Sequence, residues 1–395
     1  MAFGWLAAER ARQRLLTGSL PHRQARAHGQ SAWLRSASAI CQAARTRFER
    51  VPRKKTERAI EHVVIIVKEN HGFDNYFGTF PGANGAKLPH SPNPPPRDPN
   101  HRHDAWLTRK TTAVGEQFVE QDIPAYFAYA RQFTLCDSYF TDVAGPSTPN
   151  HIMLITADSP IIVNPPRYRL PVGEPLFDLP SLPAALEKAG FTWGNYGGYA
   201  FDFVKALQGK RKFASAQFKQ DAAAGKLPNV SWVYAPHDAS EHPPDPNDAG
   251  NPLVGNVTHG MQWTVDQVNA VVQGGRWPKT AIFITWDDWG GWLEHVDPPN
   301  VEQWKHDPKH PDRDGNHPQW NGTQFRYGSR VGCLVLSPYA KSGYLSRVLH
   351  SHVSLLKFCE TLFGLPPLNA RDARADDMSD CFDLARAPAD PPARA

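Results

Sequence analysis

The fold is decided by the stretch Val63-Val64-Ile65-Ile66-Val67-Lys68-Glu69-Asn70. Five aliphatic residues in succession predict a strand over 62–67 that is buried on both faces. In α/β proteins, ligands bind beyond the carboxyl ends of such strands. Glu69 and Asn70 follow the strand directly, and their carboxylate and amide oxygens suit a divalent cation. The alternative is a polar strand exit that caps a neighbouring helix.

Outward from this stretch, apolar strand patterns alternate with helical ones. Strands are predicted at 191–196, 230–234, 280–285 and 331–338, and helices at 123–135, 178–190, 262–273 and 355–363. This alternation predicts an α/β fold with a mostly parallel central sheet and helices on both faces. The 37 prolines and 29 glycines in 395 residues indicate long loop insertions.

The chain is longer than one compact core normally supports, so we divide it by composition. Residues 1–60 contain 13 Lys and Arg against 3 acidic residues and form a basic N-terminal extension. A folded domain is predicted over 61–369, with loop or insert regions at 81–122 and 202–262. Residues 370–395 are predicted to be a C-terminal tail. The basic extension is interpreted as an Arg-rich leader or a solvated segment, and binding of nucleic acid or of an anionic membrane is the alternative. Its aromatic residues are too sparse for base stacking, so no nucleic-acid partner is expected.

A second polar cluster follows the fourth predicted strand. Asp287 and Asp288 are adjacent carboxylates at a strand end, where they repel each other unless a cation or a proton compensates them. Gly290-Gly291 allows close backbone approach, and His295 follows on the same loop. Because parallel strands end at one edge, Asp287 and Asp288 are expected near the first strand's exit. The alternative is a solvated Asp-Asp turn.

A hydroxyl cluster precedes a predicted helix. Ser147 and Thr148 follow Gly145-Pro146, and 152–157 have helical character. Unpaired N–H groups and the dipole of a helix N-terminus favour an anion such as phosphate, so this turn is a candidate nucleophile site. An ordinary Ser/Thr N-cap is the alternative.

Histidines occur on several predicted loops. His101 and His103 could bind metal or phosphate, or belong to a solvated loop. His350 and His352 precede the last helix, where they could join the site or cap the helix. Glu241 and His242 follow the third strand.

The five cysteines are Cys41, Cys136, Cys333, Cys359 and Cys381. They are widely spaced and contain no CxxC pair, so no zinc knuckle is indicated, while one or two disulfides stay open for an exported protein. No apolar run reaches the length of a transmembrane segment or of a clear signal peptide.

Taken together, the motifs resemble the bacterial phosphoesterase family of phosphatidylcholine-type phospholipases C and related acid phosphatases, which have an alkaline-phosphatase-like α/β fold. The resemblance covers 62–365. It rests on these elements in the family's order: Glu69-Asn70-x-x-Phe73-Asp74-x-Tyr76-Phe77-Gly78, Gly145-Pro146-Ser147-x-Pro149-Asn150, Ser240-Glu241-His242-Pro243, Asp287-Asp288-x-Gly290-Gly291 with His295-Val296, Gly328-x-Arg330-Val331 ahead of Ser337-Pro338, and His352-x-Ser354.

The resemblance implies a metal-dependent phosphoric ester hydrolase with a phosphoryl-enzyme intermediate. Ser147 would be the nucleophile, and His242 and His295 would assist catalysis. One divalent metal ion (Zn, Ca, Mg or Mn) would be held by Glu69, Asn70, Asp287 and Asp288. Substrate would contact Asn70, His103, Glu241 and His352.

Phospholipase C-type cleavage of a phosphodiester is the expected activity. A phosphomonoesterase, and a non-catalytic protein that binds a ligand or a membrane surface, are the alternatives. The implied partner is a phosphate ester or phospholipid, with transient membrane-surface contact left open. The implied location is periplasmic or secreted, although the N-terminal segment shows no clear signal peptide.

The sequence departs from the family pattern at several positions. His71-Gly72 replaces a usual Arg-Ser pair, His151 replaces an Arg, Asp288 stands where Glu is common, and Ser351 replaces an Asp. The loss of Arg at 71 and 151 puts in doubt how a substrate headgroup is held.

Overall fold

The computed structural model describes residues 58–165, 176–299 and 327–392. The predicted basic extension therefore lies outside the described residues except for 58–60, as does Cys41. Ile60, close to the predicted start of the folded domain, is buried in the core.

Within the described residues, the strands and helices alternate along most of the chain. The strands are β1 (His62–Lys68), β2 (Thr134–Cys136), β3 (Tyr139–Phe140), β4 (Trp193–Tyr196), β5 (Lys212–Phe213), β6 (Val230–Tyr234), β7 (Thr280–Trp286), β8 (Cys333–Leu336), β9 (Tyr344–Ser346) and β10 (His350–Ser351). The helices are α1 (Phe73–Phe77), α2 (His103–Leu107), α3 (Arg109–Thr112), α4 (Pro124–Gln132), α5 (Ser147–Thr156), α6 (Leu182–Lys188), α7 (Ser215–Ala223), α8 (Val257–Gln273), α9 (His352–Phe363) and α10 (Ala370–Arg374).

The central sheet of the described part has the strand order β5-β4-β6-β1-β7-β8-β2-β9. Only β8 runs antiparallel to its neighbours β7 and β2, and every other adjacent pair is parallel. Helix α8 contacts both α4 and α7, and α5, α6 and α9 contact one another in a second group. The α/β prediction with a mostly parallel sheet is confirmed.

Strand β1 lies at the centre of the sheet because its aliphatic run has no polar face. Residues 63–68 are all buried, with β6 on one side and β7 on the other. In the register, Lys68 stands opposite Trp286 at the end of β7. The chain segments that leave β1 and β7 therefore emerge side by side at one edge.

Two predicted regions differ from the structure. The segment 202–262 is not an insert, because β5 and β6 belong to the central sheet. Residues 370–392 are not a separate tail, because Met378, Cys381 and Phe382 are buried in the main core. Composition misled here, since a charged, Pro-rich segment can still carry a few apolar anchors.

The search for a membrane span covered the described helices, and none combines the length and the apolar character that crossing a bilayer requires.

Candidate active site

The exits of β1 and β7 are joined directly. The backbone N–H of Asn70 donates to Asp287 Oδ1 at 3.0 Å. Asn70 adopts φ 66°, the left-handed conformation that asparagine tolerates better than most residues. The chain can therefore turn sharply after Glu69 and present the Asn70 amide beside the two aspartates.

Gly290 lets the loop after β7 close against the β1 exit. A Cβ at this position would lie 1.8 Å from the carbonyl oxygen of Asn70. Gly290 also has φ 61°, and its N–H donates to Asp288 Oδ1 at 2.7 Å. Trp292 Nε1–H donates to the same Asn70 oxygen at 3.0 Å. The glycine is therefore needed for close approach as well as for its turn.

Ser147 brings a hydroxyl to these strand exits. Its Oγ donates to Asp288 Oδ2 at 3.1 Å and lies 3.4 Å from Asn70 Oδ1. Ser147 is the first residue of α5, after Pro146 at the N-cap position, and no side-chain hydrogen bond caps this helix. The hydroxyl therefore faces the strand ends and does not serve as an N-cap.

The carboxyl groups of this pocket are buried close to one another, and each affects the pKa of its neighbours. Burial and the neighbouring Asp287 charge raise the pKa of Asp288 well above its usual value. Burial also raises the pKa of Glu69, and the charge of Asp287 adds to the effect. Asp287 behaves oppositely: despite its burial, a hydrogen bond from His151 Nε2 at 2.9 Å helps to bring its pKa to about 2.

This donor set fits a hard or borderline divalent cation. Glu69, Asn70, Asp287 and Asp288 offer carboxylate and amide oxygens, and Ser147 adds a hydroxyl. No hydrogen bond to the Glu69 carboxylate occurs within the part of the chain that the structure describes. A cation would relieve the repulsion that otherwise favours protonation of Glu69 and Asp288.

His352 supports the pocket from behind. Its Nε2–H donates to the backbone oxygen of Asp287 at 2.8 Å, and its Nδ1 accepts from the Tyr139 hydroxyl at 3.0 Å. Burial lowers its pKa to about 4, so the ring is neutral near pH 7. Both ring nitrogens are engaged by protein atoms, which gives His352 a positioning role where the sequence predicted substrate contact.

A histidine pair lies on the other side of Asn70. His101 Nε2 is 3.4 Å from Asn70 Nδ2, and the rings of His101 and His242 are 6.0 Å apart. Burial opposes a charge on His101, yet the Asp288 and Asp98 carboxylates raise its pKa to about 10. His101 therefore brings cationic character to the pocket.

The sequence offers both His101 and His103 as candidates, and the family resemblance assigns a substrate contact to His103 alone. His103 is buried, and its Nδ1 lies 2.6 Å from the carbonyl oxygen of Ala144. That contact places His103 beside the turn that leads to Ser147. His101 and His103 are separated by one residue in a segment without a regular sequence pattern, so the sequence does not show which of the two side chains lies near Asn70.

His295 does not join the Ser147 pocket by any contact within the described residues. Its Nδ1 lies 2.6 Å from Asp74 Oδ2, and its Nε2 lies 3.2 Å from Asn84 Oδ1. Arg330 binds the same network through Asp74 at 3.2 Å and Glu294 at 2.9 Å. The Asp74 contact draws His295 into this ion-pair cluster, so the expected catalytic role has no geometric support.

Glu241, for which the resemblance implies substrate contact, is surrounded by donor groups of the protein. Its carboxylate is 1% exposed and is contacted by Lys68 Nζ at 3.2 Å. It also accepts from the Tyr76 hydroxyl at 2.9 Å, the Tyr126 hydroxyl at 2.7 Å and Trp286 Nε1 at 2.9 Å. Four donors occupy the carboxylate, which leaves it nothing to offer a substrate.

The structure also accounts for the two positions where arginine is replaced. The His71 ring is buried between Asn75 Oδ1 at 2.6 Å and the Glu241 carbonyl oxygen at 2.9 Å. His151 holds Asp287, as described above. Both histidines support the loops of the site from inside the protein.

The described residues form a mostly parallel α/β sheet that carries oxygen-rich side chains and a helix-start hydroxyl at its strand ends. The chain belongs to the phosphoesterase family, whose model matches residues 60–95 and 96–366.

Similar proteins carry phospholipase names. The chain is 28% identical over 406 residues to the non-hemolytic phospholipase C of Pseudomonas aeruginosa, covering 82% of this chain and 57% of that protein. It is 27% identical over 426 residues to phospholipase C B of Mycobacterium tuberculosis, covering 83% and 78%. A lipoteichoic acid synthase structure from Listeria monocytogenes superposes with TM-score 0.45 at 10% identity, over 80% of this chain and 77% of that one. The chain thus spans little more than half of the Pseudomonas relative.

Proposed function

We propose that this chain hydrolyses phosphoric esters, that its preferred substrates are phosphodiesters of the phospholipase C type, and that Ser147 is the nucleophile. One observation carries the proposal: the Ser147 hydroxyl donates to Asp288 and lies beside Asn70 at the strand exits. The phospholipase names of the similar proteins support the substrate class.

In the proposed reaction, Ser147 Oγ attacks phosphorus while its proton passes toward Asp288 Oδ2, 3.1 Å away. The bond from phosphorus to the leaving oxygen breaks, and that oxygen takes a proton from the His101–His242 pair as it departs as an alcohol. Water then attacks the phosphoserine and gives a proton back to the histidine pair, while Asp288 returns its proton to Ser147 Oγ as the phosphorylated product is released. The helix N-terminus at Ser147 favours the anionic phosphoryl group throughout.

One divalent ion is proposed to be held by Glu69, Asn70, Asp287 and Asp288. When bound, it supplies positive charge next to the Ser147 hydroxyl and the phosphoryl oxygens. His151 and His352 position Asp287, one through its side chain and the other through its backbone. His101 and His242 offer N–H donors for phosphoryl oxygens or for the leaving oxygen.

The test compares Ser147→Ala with Thr148→Ala, which removes the neighbouring hydroxyl. Thr148 instead contacts the Tyr199 hydroxyl at 2.9 Å. Chromogenic phosphocholine diester and phosphomonoester substrates would be assayed for both variants. We expect Ser147→Ala to lower kcat about 10³-fold or more, and Thr148→Ala to retain most activity. Full activity of Ser147→Ala would refute the nucleophile assignment.

Two further measurements separate the parts of the proposal. Treatment with a chelator should abolish activity. Adding back Zn²⁺, Ca²⁺, Mg²⁺ or Mn²⁺ separately should show which ion restores activity. Activity that survives complete removal of metal would refute metal dependence. Faster turnover of the monoester would instead favour an acid phosphatase, and no turnover of either substrate by the metal-loaded chain would favour a binding protein.

A further inference from the structure

A second cluster of metal-binding side chains lies away from the oxygen-rich pocket. Cys136 ends β2, His350 begins β10, and Cys381 lies in the short helix Ser379–Cys381 near the carboxyl terminus. All three are fully buried. One ligand atom from each lies within 4.8 Å of the other two, so a single ion could reach them together.

The spacing of this cluster matches tetrahedral zinc. The two sulfur atoms, Cys136 Sγ and Cys381 Sγ, are 3.8 Å apart. With Zn–S bonds of about 2.3 Å, two thiolates of a tetrahedral site lie about 3.8 Å apart. A disulfide would bring the sulfurs to about 2.0 Å. The observed separation therefore leaves room for an ion between them.

Asp380 is placed to complete the coordination. Its Oδ1 lies 3.5 Å from Cys381 Sγ and 3.2 Å from His350 Nε2. With Zn–N and Zn–O bonds of about 2.0–2.1 Å, the corresponding tetrahedral edges are about 3.5 Å for sulfur to oxygen and about 3.3 Å for nitrogen to oxygen. The other carboxylate oxygen, Oδ2, accepts from the Ser346 hydroxyl at 2.5 Å, which orients Oδ1 toward the cluster.

The remaining nitrogen of His350 also has the partner that a zinc-binding histidine usually has. His350 Nδ1 lies 3.1 Å from Asp376 Oδ1, although the ring is not aligned for a hydrogen bond. His350 Nε2 lies 3.0 Å from the Ser346 hydroxyl, a contact that a bound ion would replace. A carboxylate on the outer nitrogen selects the tautomer and orients the ring so that Nε2 faces the metal. Small rotation of the Asp376 side chain would complete that arrangement.

We propose that Cys136, His350, Asp380 and Cys381 bind one structural Zn²⁺. Thiolate and imidazole ligands select zinc over magnesium or calcium, so this site differs in chemistry from the oxygen-only pocket at Asp287. Binding the ion releases the two thiol protons to solvent. The site would connect the carboxyl-terminal segment to β10 and to β2, which is next to the edge strand β9 of the central sheet.

The experiment measures metal bound by thiolates, which does not depend on activity. The full chain would be reduced, reloaded with Co²⁺ in place of zinc, and examined for thiolate-to-cobalt charge-transfer absorption; zinc would be counted by elemental analysis of the zinc-loaded chain. We expect Cys381→Ser to lose one zinc per chain together with the charge-transfer absorption. Cys359→Ser, which removes a buried thiol in α9 outside the cluster, should keep both.

Asp288→Asn distinguishes this site from the proposed active site. It alters the oxygen-rich pocket, so we expect activity to fall while the charge-transfer absorption stays. Loss of the absorption in Asp288→Asn but not in Cys381→Ser would overturn the zinc proposal while leaving the active-site proposal in place.

A wild-type measurement covers the case in which Cys381→Ser does not fold. The zinc-loaded chain would be treated with an alkylating reagent in the presence and absence of a strong chelator, and the Cys136 and Cys381 peptides identified by mass spectrometry. Protection of both thiols that is lost only with chelator supports the site. A disulfide-linked Cys136–Cys381 peptide, or the same alkylation with and without chelator, would overturn it.

Discussion

The buried Lys68–Glu241 centre makes the most direct stability prediction. Both side chains are completely buried, with Lys68 Nζ 3.2 Å from Glu241 Oε1. Lys68 also donates to the backbone oxygens of Ala239 and Gly260. Glu241→Gln keeps the size of the side chain but removes its charge, so Lys68 is left as an uncompensated buried cation.

The magnitude follows from the burial of this pair. Removing one partner of a buried ion pair costs about 3–5 kcal/mol. The amide NH₂ group of glutamine is a donor, so it cannot accept the hydrogen bonds that hydroxyl and indole groups donate to the Glu241 carboxylate. The four contacts share one carboxylate, so their individual energies are not added. We expect the free energy of unfolding to fall by about 3–5 kcal/mol.

Urea unfolding followed by tryptophan fluorescence measures this change. Glu120→Gln is the matched control, because Glu120 pairs with Arg131 on the surface, where the side chains are 42% and 48% exposed. That variant should lose no more than about 1 kcal/mol. The double variant Lys68→Met, Glu241→Gln should lose less than the two single variants combined. A loss for Glu241→Gln as small as the control's would refute the reasoning.

Three further predictions concern other parts of the domain. His151→Phe removes the ring nitrogen that lies 2.9 Å from Asp287 Oδ2. We expect the metal to bind about 10- to 100-fold more weakly, as measured by titrating the metal-free chain. Unchanged affinity would contradict a positioning role for His151. In Gly290→Ala, the new Cβ would lie 1.8 Å from a backbone oxygen, so we expect loss of activity and lower thermal stability. Gly209→Ala is the control, because Gly209 has φ 68° but open space around it, and its free energy of unfolding should fall by only about 1–2 kcal/mol. Equal effects of the two variants would exclude the steric cause. Burial and the neighbouring Asp372 carboxylate raise the pKa of Glu360 from 4.5 to about 8. Between these two pH values the folded chain keeps a proton that the unfolded chain loses. The free energy of unfolding therefore falls as pH rises from 4.5 to about 8. Glu360→Gln should therefore be more stable than the wild type above pH 8 and similar below pH 4.5, and identical pH profiles would contradict this.

The adjacency of Glu69-Asn70 and Asp287-Asp288 could be predicted because it depends on long strands. An aliphatic run identifies β1 and β7, and parallel neighbours deliver their exits to one edge. The contact between these exits required no knowledge of the loops. Strand pairing alone brought the two pairs together.

The histidines could not be assigned in the same way. His101 and His295 both lie on loops whose paths are set by tertiary contacts: the first by Asp98 and Asn70, the second by Asp74. No short-range pattern in the sequence records such contacts. Strands as short as β2 and β9, of three residues each, also leave no periodicity to read.

The two-residue strand β10 lies between the proposed zinc cluster and the proposed active site. His350 faces Asp380 and Cys381 at one end of it, and His352, immediately after it, holds the backbone of Asp287. Parallel pairing with β3 fixes the strand between them. Because His350 and His352 are separated by one residue, a shift of β10 moves both side chains together. The carboxyl-terminal segment, which composition predicts to be a tail, therefore bears on the geometry at Asp287 through His350 and β10.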